Sequence, residues 1–89
     1  MPTKTTELVS TIRHLLGENS RHYLSDGRLE MMAQITGNLL YDTFKMAVGY
    51  ILQTLDLHVH NRPADADGYR NDMTYYQDLL NKSVAHLAA

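Results

Sequence analysis

The fold of this 89-residue chain is decided by residues 28–60, which read RLEMMAQITGNLLYDTFKMAVGYILQTLDLHVH. Polar or small residues recur there at steps of four, four, three, four, four and three, which keeps them on one side of an α-helix. Most other positions are apolar, so the helix needs neighbours on several sides. The recurring residues are Gln34, Asn38, Asp42, Lys45, Gly49, Gln53 and Asp56.

Flanking residues predict where the first two helices begin and end. The first begins near residues 3–5, where threonine hydroxyls can cap it, and ends at Gly17. The second begins at a cap on Ser25 or Asp26 and continues to about Leu57. It would be roughly 30 residues long, about 45 Å at 1.5 Å per residue.

Two glycines lie inside this predicted long helix. Gly37 and Gly49 each cost about 1 kcal/mol relative to alanine, so each is expected to permit a close crossing or to mark a bend. Gly49 is the main candidate for a break. A third helix opens at Pro63 and continues almost to the C-terminus. Its apolar seam is Tyr69, Met73, Tyr76, Leu80, Val84 and Leu87.

These elements predict one all-α domain, residues 1–89, built as a small helical bundle of about three helices around a long central helix. Partner helices of about 13 and 20 residues cannot cover such a wide apolar surface. We therefore expect self-association through the long helix, with a homodimer favoured. The residues expected in the core or the subunit interface are Leu40, Phe44, Ala47 and Ile51.

Composition excludes several classes of function. The chain has no cysteine, so disulfides, thiolate zinc sites and thiol catalysis are excluded. A net charge of −2 offers no basic face for nucleic acid. Charged residues interrupt the longest apolar run, which argues against a membrane span. The first residues, Met-Pro-Thr-Lys, lack a secretory signal, and we expect a cytoplasmic protein.

The candidate partner-binding residues are an arginine patch and one tyrosine. Arg13, Arg21 and Arg28 could form a positive patch around the first connector, whereas nearby acidic side chains favour an ordinary mixed surface. Tyr75 falls off the apolar seam of the third helix and so favours a contact with a partner or a subunit.

His58 and His60 are the candidate metal ligands, because imidazoles with nearby carboxylates suit zinc or nickel. Their spacing is poor, since side chains two residues apart diverge on a helix. The alternative is a solvated helix C-terminus where histidines favour the helix dipole. No cofactor is expected.

No catalytic motif is present, so the sequence predicts a protein that is not an enzyme. We expect a protein–protein interaction module, a small helical adaptor, regulator or inhibitor that docks on a larger protein. Small acidic helical proteins without motifs are common among phage and mobile-element proteins that block host machinery, including anti-CRISPR proteins. The alternative is a metal- or small-ligand-binding module that uses the histidines.

Overall fold

The computed structural model describes residues 4–87 and the side chains of residues 4–82, and its regular structure is all helical, as predicted. Two 3-10 helices, Glu18–His22 and Pro63–Asp65, lie in the connectors before α2 and α4. Within the described range, no helix has both the length and the apolar character needed to cross a membrane. The four α-helices are α1 (Lys4–Leu16), α2 (Asp26–Ile35), α3 (Leu40–Asn61) and α4 (Ala66–Leu87).

The predicted long central helix is wrong, because a turn at residues 36–39 divides it into α2 and α3. Gly37 and Asn38 adopt left-handed backbone angles, with φ of 69° and 63°. The Gly37 N–H donates to the carbonyl of Gln34 at 3.2 Å, and the Asn38 N–H donates to that of Ala33 at 2.8 Å. This pair of hydrogen bonds is a Schellman motif, in which glycine avoids the steric cost of a Cβ.

The break expected at Gly49 does not occur, since α3 is continuous from Leu40 to Asn61. Gly49 lies on the exposed side of α3, and a Cβ added there would meet nothing within 4 Å. The polar residues that precede and follow Gly49 in the recurring set of polar or small residues are exposed as well. The prediction of one solvent-facing side is therefore confirmed for α3, and the exposed members are Asp42, Lys45, Gln53 and Asp56.

The core lies mainly along α3. Phe44, Ala47 and Ile51 are fully buried, as predicted, and Leu40 is half-buried against them. Apolar side chains from all the other α-helices and from the first connector complete the core, because each presents one apolar face to α3. They are Ile12, Leu16, Leu24, Leu29, Met32 and Tyr76, and α3 itself adds Val48 and Leu55.

Helix packing places the first connector and the α2–α3 turn against α1. The most extensive contact is between α3 and α4, which form a hairpin across a short connector, and α1 packs on both α2 and α3. The Thr5 hydroxyl donates a hydrogen bond to the side-chain oxygen of Asn38 at 3.0 Å. This bond ties the start of α1 to the turn that separates α2 from α3.

Candidate functional site

Arg13 is buried rather than presented to a partner, and its side chain is only 4% exposed. Its Nη1 donates to Ser20 Oγ at 2.8 Å, and its Nη2 donates to the carbonyl of Leu24 at 2.7 Å and to Asp26 Oδ1 at 2.8 Å. Ser20 in turn donates to the carbonyl of Gly17 at 2.6 Å. We call Arg13, Ser20, Leu24 and Asp26 the Arg13 cluster. It fastens the first connector to α1.

Arg21 lies on the surface above this cluster and is paired on two sides. Its Nε donates to Glu18 Oε2 at 2.7 Å and its Nη1 to Asp26 Oδ2 at 2.8 Å. Hydrogen bonds from Arg21, and next from Arg13, hold the pKa of Asp26 below its ordinary value. The two arginines therefore share one carboxylate, and their positive charge is largely neutralised.

Tyr75 is exposed to 52%, and its ring has one aromatic neighbour. It packs edge-on against the ring of Tyr76 with centroids 5.0 Å apart. Its hydroxyl oxygen would lie 3.8 Å from a Cβ built on Gly17, so the hydroxyl points toward the start of the first connector without a ring contact there. Glu18, which holds Arg21, is the next residue. We call Gly17, Glu18, Arg21 and Tyr75 the tyrosine–arginine surface.

Arg28 lies apart from the other two arginines, so the candidate positive patch does not form, and the alternative of a mixed surface fits Arg21 with its acidic partners. Its guanidinium lies over the ring of Tyr50, 4.9 Å from the centroid. This contact joins one face of α2 to one face of α3. Of the predicted partner-binding residues, the structure therefore points the Tyr75 hydroxyl toward the connector that carries Arg21, buries Arg13 and places Arg28 elsewhere.

A second surface is formed by large apolar side chains that remain exposed near the α2–α3 turn. Ile35 is 70% exposed, and Met31, Leu39 and Met46 are also exposed. Met31 and Ile35 are one helical turn apart on α2, and Leu39 directly precedes α3. We call these four residues the apolar surface. The sequence predicted surplus apolar surface on one continuous helix, but it did not single out these four positions as a surface.

Aromatic rings run from the tyrosine–arginine surface to the C-terminal end of α3. The ring of Tyr76 is 6.3 Å from that of Tyr23, Tyr23 is 6.4 Å from His58, and His58 is 5.0 Å from Tyr69. Tyr23 donates a hydrogen bond to Asp72 at 2.6 Å. Burial first, and then this carboxylate, raises the pKa of Tyr23 above its ordinary value.

His58 and His60 are not brought together. His58 packs on Tyr69, whereas His60 Nδ1 lies 2.8 Å from the backbone carbonyl oxygen of Asp56. Among the described side chains, no group of three histidine, cysteine or acidic residues is placed to hold a metal ion. The metal site therefore stays a prediction, and no described geometry supports it.

Comparison with protein-family models, with curated proteins and with solved structures gave no match. The fold and the surfaces define the chain as a small all-α protein with a buried polar cluster and two distinct exposed surfaces. Function therefore has to be argued from the geometry of these surfaces.

Proposed function

We propose that this protein is a non-catalytic interaction module, an adaptor, regulator or inhibitor that docks on a larger protein through the tyrosine–arginine surface. The observation that supports this proposal is the half-exposed ring of Tyr75, which packs against Tyr76 and whose hydroxyl points toward Gly17. Tyrosine and arginine are enriched at protein interfaces and among the residues that contribute most to binding. A ring that already packs against a neighbour loses less conformational entropy on binding.

The charge of the tyrosine–arginine surface limits the kind of partner. Arg21 is paired with Glu18 and Asp26, so the surface carries both signs and no strong net potential. Nucleic acid and anionic membranes would require uncompensated basic side chains. A protein surface with apolar and hydrogen-bonding groups suits this arrangement better. The proposal includes a cytoplasmic location and the mobile-element type of inhibitor that the composition favours.

A photocrosslinking amino acid at position 75 would test docking in the native host. We expect an adduct of one discrete mass from position 75 and none from position 57. Leu57 is the matched control because it is also an exposed apolar residue, 62% exposed and near the far end of α3.

The partner protein identified in the adduct would then be purified, and its affinity for this protein would be measured by calorimetry. We expect Tyr75→Ala to weaken binding by about 2 kcal/mol, roughly thirtyfold, because it removes an aromatic anchor. Leu57→Ala should bind like the wild type. Equal affinity for the wild type and Tyr75→Ala would show that docking uses another surface.

The proposal also includes self-association. It is supported by the apolar surface, because monomeric proteins rarely leave large apolar side chains exposed together without a binding role. Light scattering behind a sizing column, from micromolar to millimolar concentration, measures the mass directly. A mass of one chain at every concentration would remove self-association from the proposal and leave docking to be tested separately.

A further inference from the structure

We propose that a second copy of this chain covers the apolar surface, so that Met31, Ile35, Leu39 and Met46 of one protomer meet the same surface of its partner across a twofold axis. This inference rests on the self-association included in the proposed function and names the surface that performs it. It differs from the sequence-based expectation, which placed the interface along one continuous long helix.

The first argument is that the four side chains share one side of the molecule. Met31 and Ile35 lie on the side of α2 that carries Arg28, at spacings of three and seven residues from it. Leu39 and Met46 are seven residues apart on α3, which places them on a common face. Because Arg28 lies 4.9 Å from the ring centroid of Tyr50, one turn beyond Met46, the two helix faces adjoin.

The second argument is that folding does not require this surface to be apolar. The buried residues of α2 are Leu29, Met32 and Ala33, which face the core from the other side of the helix. Met31 and Ile35 contribute little to that core because they remain exposed. A short helix that is apolar on both sides is expected to be covered on both sides. The second cover has to come from outside the described chain.

The third argument is charge, which selects a second copy as the occupant. Two exposed charged residues of opposite sign lie on the same helix faces as the apolar surface, and neither belongs to an ion pair among the described residues. In a twofold interface residue i meets j while j meets i, so a rim with equal numbers of both signs can complement itself. A strongly acidic or basic partner would be repelled by half of it. The rim residues are Arg28 on α2 and Asp42 on α3.

The size of the surface sets the expected strength of the dimer. A standard interface covers about 800 Å² on each partner. Four apolar side chains and a charged rim lie toward the smaller end of that class, so we expect a dimer that dissociates on dilution. Light scattering should therefore show the mass changing between one and two chains over the concentration range.

The first test compares two substitutions of equal chemistry. Ile35→Asp places a charge in the centre of the proposed interface and should weaken dimerisation at least tenfold, because the partner offers only apolar atoms there. Leu57→Asp makes the same change at an exposed apolar site outside the surface and should dimerise like the wild type. Circular dichroism establishes that both variants remain helical.

The second test reverses charges, and it is independent of the apolar substitution. The variant Arg28→Glu has a rim of two acidic residues, and the variant Asp42→Lys has a rim of two basic residues. Each should be monomeric alone because like charges face each other across the axis. An equimolar mixture should form a dimer containing one chain of each kind, as measured by native mass spectrometry.

The outcomes separate this inference from the proposed function. The surface named here is supported if the wild type forms a dimer, Ile35→Asp does not, and the two charge variants form a dimer only when they are mixed. A wild-type dimer that both Ile35→Asp and the separate charge variants leave intact overturns this surface while self-association stands. A wild-type monomer at all concentrations overturns both.

Discussion

Arg13 is buried in its cluster and the apolar surface is exposed, which is the opposite of what their residue types indicate. Arg13 is a charged residue on the first helix, yet it is almost fully buried and hydrogen-bonded to three other residues. Ile35 is a strongly apolar residue on the second helix, yet it is 70% exposed. Each outcome is produced by a connector. The first connector folds over Arg13, whereas the turn at Gly37 ends α2 with Ile35 facing outward.

The comparison teaches that burial in this small chain follows the path of the connectors more than residue type. A guanidinium can be buried when a loop supplies carbonyl, hydroxyl and carboxylate oxygens to its donors. An isoleucine stays exposed when no later element passes over it. Substitutions in the first connector and in the α2–α3 turn should therefore change the free energy of unfolding more than the positions of these residues on a helical wheel would suggest.

Removing the buried guanidinium should break the Arg13 cluster and have the largest effect. Arg13→Ala removes the donor to the buried Leu24 carbonyl and to Ser20 Oγ and leaves Asp26 without one of its partners, and we expect a loss of about 3 kcal/mol in the free energy of unfolding. Urea denaturation followed by circular dichroism measures it. Arg21→Ala is the matched control, because this exposed arginine pairs with carboxylates that water can solvate. The free energy of unfolding should fall much less in this variant. Similar losses in the two variants would contradict a structural role specific to Arg13.

A pair of glycine substitutions should sharpen the account of the turn beside the apolar surface. Gly37→Ala forces a Cβ into a left-handed backbone conformation and should destabilise the protein by about 1–2 kcal/mol. Gly49→Ala lies on the open side of a continuous helix and should stabilise it by up to about 1 kcal/mol. Thermal and urea unfolding of both variants should thus change in opposite directions. A stabilising Gly37→Ala would show that α2 does not end at this turn.

The smallest expected effect is the acid dependence contributed by Asp26. Its pKa is lowered in the folded state, so its carboxylate stabilises the fold above the unfolded pKa of about 4, and this contribution is lost as the pH falls below that value. Asp26→Asn should flatten the decline in the urea midpoint below about pH 4. Arg21→Ala should also reduce this decline in the urea midpoint, because Arg21 is the main cause of the lowered pKa of Asp26. An unchanged decline in both variants would contradict this origin.

Local sequence signals were sufficient for several elements. α1 lies within the predicted bounds, since its apolar spacing and Gly17 act over a few residues. The solvent-facing side of α3 and the burial of Phe44 and Ile51 follow from the same helical period. The Schellman turn also had a local signal, because a glycine followed by an asparagine suits positive φ angles. Hydrophobic periodicity on both sides of that turn concealed it.

The sequence by itself determined that this protein is helical, where α1 ends, and which side of α3 faces water, because helical period and capping act between residues a few positions apart. Tertiary structure alone decided that Arg13 is buried, that the Tyr75 hydroxyl points toward the connector carrying Arg21, and that the four residues of the apolar surface stay exposed. The reason is physical: hydrogen-bond partners and covering side chains for these residues come from other elements, and only the folded chain brings them within reach.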